Sequence, residues 1–212
     1  MPDTIGHDDL VAMLRGGAAR VKANHDTLSK LDSVGGDGDH GTTMARAMGN
    51  LEKAIDDATA ADTKSLLYDI GWAIMGVDGG ATGPLFGMFF MGLSEAAPEA
   101  ETLDAGTLAA MFEAGLASVQ QQTKAKVGDK TMIDALVPAV AAFRAAADAG
   151  QGVADALAQA ADAADQGADS TKQLAARFGR ARNVGEQTLG HADPGATSVS
   201  FLFRGFAQAL AS

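Results

Sequence analysis

The chain has no cysteine. That excludes disulfides, a thiolate zinc site and a thiol nucleophile, and it suits a reducing cytosol. Aromatics are scarce, with one Trp and one Tyr in 212 residues. Strands favour aromatic side chains, so the scarcity counts against a sheet protein. Cations are outnumbered, 16 Lys+Arg against 27 Asp+Glu, for a net charge of −11 and a pI near 4.6. A nucleic-acid surface needs a basic footprint and anionic lipid repels such a chain, so neither partner is expected. No apolar run is long. The richest window, 84–93, is too short to span a bilayer. The start, Met1-Pro2-Asp3-Thr4, has no basic region ahead of an apolar stretch, so no secretory leader is expected. What abounds is alanine, 45 residues, in a chain that is 47% hydrophobic. Alanine is the best helix former, so composition points to a cytosolic, all-α protein with a buried core.

Apolar spacing supports this reading. Leu10, Val11, Met13, Leu14, Ala18 and Val21 fall on one face of a helix over 8–24. A shorter helical piece covers 25–31. Further helices are expected over 42–57, 62–77, 82–96, 108–121, 131–149, 153–166 and 172–178. Asp62 is a fitting N-cap, and Asp104 or Thr107 caps the helix at 108. Asp193-Pro194 opens a last helix to about 210, with Asp as N-cap and Pro at the first helical position. No strand alternates convincingly, and no linker interrupts the chain. The expectation is one all-α domain over 1–212 with about eight helices.

The densest chemistry is DSVGGDGDHG over 32–41, a loop with four glycines and three aspartates. Asp37 and Asp39 are two apart and leave an extended loop on the same side. Asp32 folds back through turns that Gly35, Gly36 and Gly38 permit. Three gathered carboxylates repel one another, so a cation is their natural partner, and oxygen-only ligands suit a hard ion such as Mg²⁺. The bland alternative is a solvated acidic loop. Next come His40, Gly41, Thr42 and Thr43, where a helix begins. Free N–H groups and the dipole at a helix N-terminus favour phosphate. A second glycine turn, Gly79-Gly80-Ala81-Thr82-Gly83, repeats that logic before another helix, although a plain helix–helix turn reads the same. The string 36–41 formally matches G-x-G-x-x-G, but no strand precedes it, and there is no P-loop lysine motif. Arg180 and Arg182 stand ready to neutralise phosphate or simply to answer the acidic surface. Met132 lines an adenine pocket or belongs to the core.

Five segments together resemble the nucleotide-binding L subunit of dihydroxyacetone kinase. They are LDSVGGDGDHGTTM over 31–44, GGATGPLFGMFF over 79–90, GDKTMIDAL over 128–136, GRARNVGE over 179–186 and GHADPGAT over 190–197. The resemblance spans nearly the whole chain. It implies a closed barrel of eight antiparallel helices with the nucleotide at one rim. It implies that Asp32, Asp37 and Asp39 bind two Mg²⁺ bridging the phosphates of ADP or ATP. His40, Gly41, Thr42, Thr43, Gly80, Ala81 and Thr82 would then meet phosphate or ribose. Met132, Arg180, Asp193, Pro194 and Gly195 would surround the adenine and the rim. In such proteins the ketose sits on a separate K subunit, which here would dock over an acidic rim. Subunits recharged by a phosphotransferase-system phosphocarrier protein usually carry Asn where this chain has Thr43, and often Ala where it has Gly38. That pattern is closer to single-chain kinases that use ATP.

The leading expectation is therefore a phosphotransferase subunit for dihydroxyacetone, inactive without its partner. The alternatives are a subunit for a four-carbon ketose, or a non-catalytic nucleotide-binding regulator. A fatty-acid kinase domain is disfavoured because those resemble the N-terminal part of longer chains, whereas this one ends at Ser212.

Overall fold

The computed structural model describes residues 4–59 and 62–211. The leader expectation over residues 1–3 and the chain end at Ser212 lie outside the described residues. Among those described, nine α-helices form: α1 (His7–Ala23), α2 (His25–Asp32), α3 (His40–Asp57), α4 (Thr63–Met75), α5 (Thr82–Ala96), α6 (Ala105–Gln122), α7 (Ile133–Asp148), α8 (Val153–Ser170) and α9 (Pro194–Ala209). Two-residue strands β1 (Thr4–Ile5) and β2 (Leu103–Asp104) pair antiparallel. None of the described helices is long and apolar enough to cross a membrane.

The helices pack as a cycle. From α3 onward each helix packs on the next as far as α9, which returns to α1, and α1 closes on α3. The short α2 rests on α3 and α9 instead. Phe89, Phe90, Phe112, Phe143, Phe203 and Phe206, from α5, α6, α7 and α9, are fully buried. Neighbouring rings lie 5.0–6.4 Å apart, so they fill the interior as an interlocked aromatic core. Small residues let the walls approach. At the α1–α9 crossing, a Cβ on Gly205 would lie 2.4 Å from the Gly16 carbonyl oxygen. On α8, buried alanines including Ala156, Ala160 and Ala164 serve the same end.

Caps fix the element starts as expected at three places. Asp62 accepts from Lys64 and Ser65 N–H, Asp104 from Thr107 N–H, and Asp193 from Ala196 N–H. Two expectations fail. α3 begins at His40, not Thr42, because Asp32 replaces a local cap and takes the His40 N–H at 3.4 Å. The helix expected over 172–178 is a single 3-10 turn, Thr171–Gln173. α8 runs on to Ser170, and the backbone beyond bonds sideways. Ala176 N–H donates to Thr188 Oγ1 and Arg177 N–H to the Asp129 carbonyl. Residues 171–193 thus form a strap without α-helix between α8 and α9.

Candidate anion and metal site

A cavity of about 320 Å³ opens at one end of the helix cycle. Helices α3, α5, α7 and α9 all begin at it, through His40, Thr82, Ile133 and Pro194. Alternate helices of the cycle therefore point their N-termini at one space. Several leading N–H groups are already met, His40 by Asp32, Ile133 by Thr131 Oγ1 and Ala196 by Asp193, but the partial positive charge of all four helix ends converges on whatever the cavity holds. Two of these termini, those of α3 and α5, were legible as anion sites in the sequence. Those of α7 and α9 were not.

The acidic loop lines the same space and runs directly into α3. Asp32 is the last residue of α2, and its Oδ2 accepts the Gly38 N–H at 2.9 Å. A Cβ on Gly36 would sit 2.3 Å from Asp32 Oδ1, so glycine is needed for this carboxylate to keep its place. Oxygens of Asp32, Asp37 and Asp39 all lie within 4.8 Å of one another. Asp39 is the N-cap residue of α3, yet its side chain makes no cap bond, since Asp32 does that work and leaves it free. Arg180 pairs with Asp37. The rim is thus mixed in charge rather than uniformly acidic, and the guanidinium answers the carboxylates as a cation does. The donor set, three hard oxygens with no nitrogen or sulfur, fits Mg²⁺.

His40 is buried and wedged between two hydroxyls. Its Nε2 is 2.8 Å from Ser198 Oγ and its Nδ1 is 3.2 Å from Thr82 Oγ1. Ser198 already donates to the Pro194 carbonyl at 3.0 Å, so it accepts from Nε2–H. The neutral ring then presents Nδ1 as an acceptor, and the Thr82 hydroxyl donates to it. Burial holds the His40 imidazole below its ordinary value of 6.5, against the pull of Asp32. His40 therefore orients Thr82 at the start of α5.

Of the residues singled out from the sequence, Asp32, Asp37, Asp39, His40, Gly80, Ala81, Thr82, Met132, Arg180, Asp193, Pro194 and Gly195 line the cavity. Gly41, Thr42 and Thr43 do not. Because α3 starts two residues early, Thr42 is exposed and Thr43 is turned inward under Gly79, whose Cβ would lie 2.4 Å from Thr43 Oγ1. Arg182 is exposed and also off the lining.

Sequence reasoning passed over Lys130, Asp134 and Ser198. Lys130 and Asp134 lie in the GDKTMIDAL segment, whose only residue with an evident base-pocket reading is Met132. Lys130 is 4% exposed and contacts two backbone carbonyls. Burial holds its ammonium below the lysine range, opposed by Asp193 and Asp134.

Burial also pushes the Asp193 carboxyl up to about 7, against the Ala196 N–H and Lys130. Its ordinary value is 3.8, so between these limits the folded chain holds a proton that the unfolded chain has lost. Stability from this group is present at low pH and declines as pH rises through 7. From pH 5 to pH 8 the parent should lose about 1–2 kcal/mol relative to Asp193→Asn, after allowing for partial exposure. Thermal denaturation of both across that range checks it. Parallel profiles would return the carboxyl to its ordinary value.

Fold and site together define an all-α protein that gathers carboxylates and helix N-termini around one polyanion-sized space. Residues 34–208 match the DAK2 domain. The ADP-binding subunit DhaL of PEP-dependent dihydroxyacetone kinase 1 from Listeria innocua is 38% identical over 189 residues, 89% of each chain. The DhaL subunit of the Escherichia coli enzyme is 38% identical over 182 residues, 86% of this chain and 87% of its own. The C. freundii dihydroxyacetone kinase, solved in complex with AMP-PNP and Mg²⁺, superposes with a TM-score of 0.74 at 29% identity. That match covers 94% of this chain and 33% of the C. freundii chain, so this chain spans about a third of that enzyme. The chain belongs to the DAK2 domain family.

Proposed function

We propose that this chain is the nucleotide-binding subunit of a dihydroxyacetone kinase, a phosphotransferase. In this reading residues 1–212 act as one unit that holds Mg-ADP or Mg-ATP and passes a phosphoryl group to a small ketose on a separate K subunit. The observation that carries the reading is the meeting of three carboxylates and four helix N-termini at one cavity. An anionic nucleotide meets an anionic loop only with cations between them.

Asp32, Asp37 and Asp39 would hold Mg²⁺, and we read two ions there. The metal, when bound, supplies charge neutralisation on phosphate oxygens. The chain's own groups do the rest. The N–H groups that open α5, at Ala81 and Thr82, would bind phosphate, with the Thr82 hydroxyl oriented by His40. Met132, Pro194 and Gly195 form the floor for the base, and the strap around Arg180 closes its outer wall. Excluding water there favours transfer to the acceptor over hydrolysis.

We read the donor as a phosphocarrier protein drawing on phosphoenolpyruvate, because the DhaL relatives matched along most of their length are named PEP-dependent. Thr43 and Gly38, the features shared with ATP-using kinases, lie off the cavity lining and carry little weight against this. The absence of cysteine suits a cytosolic site of action.

Calorimetry with ADP in Mg²⁺ or in EDTA, then mixing with a K subunit, tests the reading. Mg²⁺-dependent binding and phosphoenolpyruvate-driven phosphorylation of dihydroxyacetone are expected when the phosphocarrier is present. Transfer from ATP alone would overturn the donor, and preference for erythrulose the acceptor. Nucleotide binding without transfer in any mixture would leave a regulator.

A further inference from the structure

The strap 171–193 supplies one wall of the cavity through Phe178, Gly179, Arg180 and Ala181. Few of its own side chains are buried. Thr171, Ala176 and Thr188 are the ones among the described residues. Apolar packing holds it mainly at Phe178, which rests half-buried on the core. Its two feet do converge, since the Gly190 N–H donates to the Lys172 carbonyl at 2.8 Å.

One side chain grips both feet. The Lys130 ammonium donates to the Thr171 carbonyl at 2.6 Å and to the His191 carbonyl at 2.6 Å. Lys130 stands in a tight turn before α7 with a φ of +64°, a region non-glycine residues rarely adopt. Asp134 imposes that turn by accepting the Gly128 N–H at 2.6 Å and the Thr131 N–H at 2.7 Å. The same turn takes the Arg177 N–H on the Asp129 carbonyl at 3.2 Å.

We propose that Lys130 is a positioning residue that pins both ends of the strap and so sets the nucleotide-facing wall, without itself taking part in transfer. The role rests on the nucleotide reading above. The chemistry requires donors: an apolar isostere would leave the Thr171 carbonyl with only the Leu174 N–H at 3.1 Å and take from the His191 carbonyl its ammonium partner, so the two feet would lose their common tie.

Hydrogen exchange and ADP titration on the full chain, with Lys130→Met and Lys130→Arg beside the parent, decide it. In Lys130→Met, amides over 172–191 should exchange at least about 10-fold faster while those of α1 and α9 keep their rates. Affinity for Mg-ADP should fall about 10-fold. Lys130→Arg keeps donors for both carbonyls and should recover most of the strap protection. Unchanged strap exchange in Lys130→Met, or equal loss in both variants, overturns the pin. If Lys130→Met does not fold, parent-like strap exchange and ADP affinity in Lys130→Arg support the pin, and loss of both overturns it. If the parent binds no ADP, the nucleotide reading fails, yet the exchange result still reads the pin.

Discussion

Asp37→Asn should lower the affinity for ADP in Mg²⁺ by about 100-fold, close to 3 kcal/mol. Three carboxylate oxygens within 4.8 Å give a hard cation three negative ligands. The amide keeps the shape but removes one charge and half of the strong acceptors. In EDTA the sign should reverse. Without a cation, Asp37 repels the polyphosphate and occupies Arg180, and the substitution relieves both effects. Parent and variant affinities should therefore converge or cross when the metal is removed. The Asp37 side chain is about half exposed, so the variant should unfold at nearly the parent temperature. Calorimetry in Mg²⁺ and in EDTA reads all of this. Equal Mg-ADP affinity in the two proteins would falsify the metal assignment.

The local physics of the chain was legible where it was local. The bounds of α5, the caps at Asp62, Asp104 and Asp193, and the proline at the first position of α9 follow from residue types and spacing. The three aspartates stood out because they lie within eight residues of one another. What spacing does not carry is a bond between distant segments. α3 starts at His40 because a carboxylate eight residues upstream caps it, and no window centred on Thr42 shows that. The strap looked helical because Lys172, Leu174 and Ala176 suit a helix. Its backbone groups instead pair with Thr188 and Asp129, 12 and 48 residues away. Lys130 was passed over for the same reason, since its partners are 41 and 61 residues distant. The convergence of four helix N-termini is a property of the closed cycle, not of any one segment.

That closure also explains why site and fold share single residues. Gly41→Ala should destabilise the protein by about 2–4 kcal/mol and weaken Mg-ADP binding by about 10-fold or more. A Cβ at Gly41 would lie 1.9 Å from the His25 carbonyl oxygen and 2.5 Å from Ser29 Oγ. Both atoms belong to α2, and a backbone carbonyl inside a helix cannot swing aside as a side chain would. Either α2 lifts from α3 or the first turn of α3 unwinds. The first response carries Asp32 away, because it ends α2. The second releases the His40 N–H from Asp32 and disturbs the ring that orients Thr82. Gly49 provides the control on the same helix. A Cβ there meets nothing within 4 Å, so Gly49→Ala should gain about 0.5–1 kcal/mol from helix propensity and leave binding unchanged. For a chain of this size the two variants should melt on opposite sides of the parent, Gly41→Ala lower by roughly 5–15 °C. A Gly41→Ala protein that melts with the parent and binds Mg-ADP normally would mean that α2 and α3 do not touch as closely as the structure has them.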